Sequence, residues 1–185
     1  MQFVVEIVVR GIDYPSFRRI YYSDEFNQDV AQAVKLKERG QLEHVTLPDG
    51  TERRRVRVVP RVSLPAPVQK ILNGQEISYE EITVFDPATR SSTFAVESSA
   101  GETVKVTGVA RFFEENGGVR LRFEGEAKVK VFGIGGFAER YIVGEVRSRY
   151  EVVARLLQKF VDDGRDVKTT PLVEPSPAST PPSTP

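Results

Sequence analysis

The sequence predicts an α+β fold: a curved antiparallel sheet with one apolar face, covered by a single long helix near the C-terminus. Three observations predict it. Period-2 alternation of apolar and polar residues dominates the chain ahead of residue 134, one apolar stripe at helical spacing runs through residues 134–163, and a Pro-rich stretch with little to bury follows. An antiparallel sheet with one wet face leaves its other face needing a cover, and the long helix has the stripe to provide it.

Taken in order, residues 3–9 alternate, with Phe3, Val5, Ile7 and Val9 on one face, and form the first strand. The segment 13–40 then reads as helix. Within it Ser23 is the expected N-cap, Asp24 and Glu25 complement the positive end of the helix in its first turn, and Gly40 closes the segment. Residues 43–47, 52–62, 76–85 and 91–98 supply further strands, punctuated by tight turns at "LPDG" (47–50), "DPATR" (86–90) and "SAG" (99–101). Residues 103–113 place Val104, Val106, Gly108, Ala110 and Phe112 on one side. "NGG" (116–118) joins them by a hairpin to 119–131. That last strand shows the pattern most clearly. Val119, Leu121, Phe123, Gly125, Ala127, Val129 and Val131 share one face, while Arg120, Arg122, Glu124, Glu126, Lys128 and Lys130 share the other. The helix of 134–163 carries Val143, Val146, Tyr150, Val153, Leu157 and Phe160 at steps of three and four.

At 185 residues the chain has room for one domain, 1–164, and a tail, 165–185. The tail holds six prolines and reads as disordered, a solvated segment whose Ser/Thr-Pro steps offer kinase sites or docking motifs for a protein partner. Lys+Arg and Asp+Glu both number 26, so no global field favours nucleic acid. No Cys is present, which removes disulfides and thiolate chemistry, and the single histidine, His44, leaves no ordinary zinc set. No cofactor or metal is expected. The N-terminal "MQFVVEIVVRG" lacks the basic and small-residue marks of a signal peptide, and no transmembrane segment is expected, so the expected location is cytoplasmic.

The element order is similar to that of the START / Bet v 1-like (SRPBCC) superfamily, and more closely resembles the bacterial family DUF2505. The resemblance rests on "YYSDEF" (21–26), "SLPAPVQKILNGQEISYEEITVFDP" (63–87) and "KVKVFGIGGFAERYIVGEV…LLQKFVDD" (128–163), and covers roughly residues 2–163. It implies a helix-grip fold, about seven curved strands wrapped around the C-terminal helix, and a cavity for a hydrophobic small molecule or lipid. Enzymes are a minority of the superfamily.

Candidate sites follow from both readings. Gly133-Ile134-Gly135-Gly136, between strand and helix, fits neither a Walker loop nor a dinucleotide turn, and is read as a sharp reversal with positive φ. On the helix, Phe137, Tyr141, Gly144 and Ser148 share one face. Small residues beside aromatics either line a pocket, with Tyr141 as its polar handle, or permit close packing on the sheet. With Phe123 and Tyr79 these are the expected ligand-binding residues. Gly108, Ala110, Gly125 and Ala127 mark either strong bending or a hollow interior. Arg53, Arg55 and Arg57 share the outer face of their strand with Arg61. They are either balanced by Glu76, Glu80 and Glu81 across the sheet or face an anionic lipid or protein. Glu80/Glu81 and Glu114/Glu115 point to opposite faces pairwise and read as surface charge. No catalytic residue is assigned. The function expected is non-catalytic binding of a hydrophobic or lipid-like molecule, ahead of a protein-interaction module using the arginine face and tail, and further ahead of a cyclase- or hydrolase-type enzyme.

Overall fold

The computed structural model describes residues 1–61, 64–71 and 76–165. The tail expectation for residues 166–185 lies outside these. The elements run β1 (Gln2–Arg10), α1 (Tyr14–Tyr22), α2 (Asp24–Ala33), β2 (Leu36–Thr46), β3 (Glu52–Pro60), α3 (Ala66–Ile71), β4 (Tyr79–Asp86), β5 (Ser91–Ser98), β6 (Val104–Glu115), β7 (Gly118–Val129) and α4 (Gly135–Asp162). All seven strands join one curved sheet in the order β1-β7-β6-β5-β4-β3-β2, every pair antiparallel. Strands β2 to β7 form a meander, and β1 returns to lie beside β7.

Alternation sets which side chains are buried. On β7, Val119, Leu121, Phe123, Ala127 and Val129 are buried on the face opposite Arg120, Arg122 and Glu124. Helix α4 runs along β1 and β7 and brings Val143, Val153, Leu157 and Phe160 onto that face. The core thickens toward the end where α1 and α2 close the grip. There Phe17, Phe26, Phe112 and Phe160 join Ile7, Leu121 and Leu157, and Phe26 meets Phe160 edge to face at 5.3 Å. Each such side chain contributes about 2–3 kcal/mol by leaving water.

Ser23 is the cap the sequence predicts. Its extended backbone (φ −70°, ψ 148°) breaks α1 from α2. Its buried hydroxyl donates to the Ile20 carbonyl at 2.8 Å and accepts from the Phe26 N–H at 3.2 Å. Gly40, however, does not end the helix. The chain leaves helix after Ala33, takes a left-handed φ of 54° at Lys35 and pairs as β2 from Leu36. The strand was legible only from residue 43 because register shifts at Leu36/Glu38 and Gln41/Glu43 interrupt its alternation. Helix α3 escapes the sequence reading because six residues are too few to show a period. It packs Val68 against Val129 and Ala138. Arg165, placed in the tail by sequence, donates to Asp29 at 2.9 Å and lies 3.7 Å from the Phe160 ring centroid, so it is anchored to the domain.

Gly108 and Gly125 sit directly opposite one another across β6 and β7. A side chain at either would collide with the Phe94 ring, and at Gly125 also with Phe3. The space those glycines vacate is therefore filled by aromatic rings rather than left hollow.

Candidate functional site

Phe85 is buried on the concave face, so Thr83, Glu81 and Tyr79, two, four and six residues before it, share that face. The same count from Val58 and Val56 turns Arg54 and Glu52 of β3 inward. Arg39, Gln41 and His44 of β2 complete this half of the sheet. The concave face is thus divided: β1, β7 and β6 present an apolar surface beneath α4, and β2, β3 and β4 present a polar one. Between them Phe94 and Val96 of β5 and Ile142 and Val146 of α4 pack against the cluster of Phe3, Val106, Ala127 and Val143, and all four remain only partly buried.

A charged bridge spans the gap. Arg149 of α4 donates to Glu81 Oε1 at 3.0 Å, and Arg39 reaches the other oxygen, Oε2, at 4.0 Å. Arg149 also lies beside Tyr79, its guanidinium 5.8 Å from the Tyr79 ring centroid. Tyr150, next along α4, packs its ring on Phe123 with the centroids 4.2 Å apart and the planes tilted by 31°. Arg54 donates to Gln41 Oε1 at 2.8 Å and lies 5.3 Å from the Tyr22 ring centroid. A neighbouring group joins Arg18 to Glu52, which His44 Nε2 approaches at 3.3 Å.

Burial disfavours phenolates, and it pushes Tyr22 and Tyr79 up to about 12, with Tyr21 and Tyr150 higher still. These tyrosines are neutral donors at any physiological pH. Burial works against the Arg149 charge, but Glu81 and Tyr79 outweigh it and hold the guanidinium protonated. Burial also works against a Glu52 carboxylate, and the hydrogen bonds from Arg18 and His44 reverse the balance and lower it. Chemically the cluster offers guanidinium and phenol donors with few acceptors, an arrangement for holding a polar group in place. Among the described residues no group of three or more His, Cys, Asp or Glu is placed to hold a metal ion.

Of the expected ligand-binding residues, Phe123 and Tyr79 fall in this region. Tyr141 lies toward the other end of the groove, packed against the cluster of Val68, Val129 and Ala138. Phe137, Gly144 and Ser148 are exposed on the far side of α4 and line no space between helix and sheet. The reason is angular. At ~100° per residue, Ser148 lies about 160° around the helix from Tyr150, opposite the apolar stripe that fixes which side faces the sheet. Arg53, Arg55 and Arg57 do lie on the outer face, and each meets a carboxylate: Arg53 with Glu43, Arg55 with Glu80 at 2.6 Å, Arg57 with Glu38 at 3.4 Å. Of the acids expected there, only Glu80 serves; Glu76 pairs with Lys37 at 2.7 Å and Glu81 turns inward.

Arg39, Arg54, Glu81 and Arg149 were missed as site residues. The available signal was phase: Arg54 keeps step with Val56 and Val58, and Glu81 with Phe85. A charge in the buried phase of a strand is the mark of an interior polar site. The glycine loop before α4 makes the reversal expected of it. Gly133 has φ +79°, and a side chain at Gly135 would stand 2.5 Å from the Val129 carbonyl oxygen. Two open clefts lie at the margins of the fold. One, of about 450 Å³, sits between the β1 edge and Arg147, Glu151 and Arg155 of α4; the other, of about 570 Å³, sits beside the β6–β7 turn. Neither touches the arginine–tyrosine cluster.

The family described as "Protein of unknown function (DUF2505)" matches residues 13–161. No curated protein matches the chain. Solved structures share the fold. TTHA0849 from Thermus thermophilus superposes with a TM-score of 0.60 at 14% identity, over 90% of this chain and 100% of that one. The Zhui aromatase/cyclase from a Streptomyces species gives 0.52 at 11%, over 88% and 92%. A START superfamily protein from Mycobacterium smegmatis gives 0.50 at 14%, over 89% and 98%. At these identities the likeness is one of fold, a START-like helix grip. No helix among the described residues is long and apolar enough to cross a membrane.

Proposed function

This chain belongs to the DUF2505 family, and we propose that it binds a largely apolar small molecule, non-catalytically, in the groove between the concave face and α4. One observation carries this reading. Phe94 and Val96 of β5 and Ile142 and Val146 of α4 pack against one small cluster of Phe3, Val106, Ala127 and Val143 between sheet and helix, yet none of the four is fully buried. Apolar side chains on the inside of a fold normally bury one another; inward-facing ones that stay wet leave surface for a ligand to cover. Each methylene a ligand buries there adds about 0.8 kcal/mol. Tyr79 and Tyr150, at the polar margin, orient it. The START-like fold supports the reading, since that superfamily is associated with hydrophobic ligands.

The test is native mass spectrometry of gently purified protein, together with titration of a neutral apolar fluorescent dye. The expected result is a copurified adduct or saturable dye binding near one per chain, lost when Val146→Trp fills the groove. Repeated recovery of bare protein that takes up no dye would overturn the reading.

A further inference from the structure

The outer and inner faces of β3 treat their arginines differently. Outside, Arg53, Arg55 and Arg57 each meet a carboxylate. Inside, Arg54 is 8% exposed, and no ion pair reaches it among the described residues. Its neighbours are the neutral amide of Gln41, the Tyr22 ring, and a second cation, Arg39. Among the described residues, Glu81 is the one carboxylate within ion-pair reach of Arg39 or Arg149, and both draw on it. Two guanidiniums thus share one carboxylate, and the third, Arg54, pairs with none among the described residues. The nearby Glu52 is already engaged by Arg18 and His44.

An enclosed cation without a counter-charge costs several kcal/mol, and folded proteins rarely retain one without a use for it. Burial and then the Arg39 charge both work against protonated Arg54, a strain that an added anion relieves. The surrounding tyrosines present hydroxyl donors rather than phenolates. The site is also open: the side chains of Arg39, Arg149 and Glu81 keep 17%, 25% and 31% of their exposure, so solvent reaches the mouth of the cluster. Phe94, Val96, Ile142 and Val146 adjoin it.

We infer that the molecule held in this groove is an amphipathic anion, whose apolar body lies along Phe94, Val96, Ile142 and Val146 and whose carboxylate or phosphate headgroup is held by Arg54 and Arg39. The planar fork of arginine matches both headgroups, donating to two oxygens side by side. This rests on the groove reading above and adds the class of ligand to it.

The experiment compares three probes of one chain length, dodecanoate, dodecyl phosphate and dodecanol, by displacement of the neutral dye. The wild type is expected to bind at least one of the two anions about tenfold or more tighter than the alcohol, the scale of one charge-assisted contact. The better anion identifies the headgroup. Arg54→Gln and Arg39→Gln are each expected to shrink that preference to within about threefold, and a preference kept at full size in both variants overturns the assignment of the headgroup to these arginines. Equal binding of all three probes by the wild type overturns the anion site while leaving the groove standing; binding of none overturns both. The comparison within the wild type decides the matter even if a variant fails to fold.

Discussion

Replacing Gly108 by alanine tests the packing of the sheet centre most directly. A Cβ at this position would stand 2.3 Å from the Glu124 carbonyl oxygen, 2.5 Å from Phe94 Cζ and 2.7 Å from Gly125 Cα. Ordinary contacts at such atoms begin at 3.4 Å. Relief therefore requires the β6 and β7 backbones to separate by about 1 Å, at the expense of the ladder bonds between them. Phe94 can rotate away, but two of the three obstacles are backbone. Overpacking of this kind costs about 1–3 kcal/mol or somewhat more, against a gain of roughly 0.5–1 kcal/mol from replacing a strand glycine. The expected net loss is about 2 kcal/mol, or roughly 4–8 °C in Tm for a chain of this size. Gly144→Ala is the matched control. Gly144 is exposed on α4 with nothing within 4 Å of an added Cβ, so alanine should stabilise by about 1 kcal/mol and leave dye binding unchanged. Urea denaturation followed by circular dichroism, with m-values compared, measures both. A Gly108→Ala variant as stable as wild type, or a Gly144→Ala variant that is destabilised or loses the dye, would refute the reasoning.

Two further outcomes are expected. Ser23→Ala removes both side-chain bonds at the buried α1–α2 junction and should cost about 1–2 kcal/mol, whereas Ser23→Thr should recover most of it; equal stability of alanine and wild type in urea would exclude the capping role. All six tyrosines have pKa values raised in the folded state, chiefly by burial. A raised acid contributes stability that is complete below its unfolded pKa and is lost as pH rises through the folded value, so the fold should weaken from about pH 10 upward. Phenolate absorbance should then appear together with unfolding. Several tyrosines ionising freely in protein that is still folded would contradict the enclosed cluster.

The elements that sequence specified best are those whose local signal and tertiary role coincide. The β6–β7 hairpin is an example: Asn116 and Gly117 take the positive φ values of 53° and 71° that a two-residue turn demands, and the alternation on either side needs no partner to be read. Ser23 and the stripe from Val143 to Phe160 are of the same kind. What sequence could not decide was which of two competing patterns the packing would satisfy. On α4 the small-residue face and the apolar stripe were both periodic, and only docking on β1 and β7 turned Gly144 and Ser148 to solvent. In β2, two register shifts erased the alternation that would have revealed the strand. The arginine–tyrosine cluster was hidden for a third reason. Arg39, Arg54, Glu81 and Arg149 come from three strands and a helix, each one charge among several in its own segment, and only the curvature of the sheet brings them into one unbalanced group. The chain thus carries its secondary structure and the identity of its buried faces in local pattern. The excess positive charge inside the grip depends on distances between segments, and those exist only once the sheet has closed around the helix.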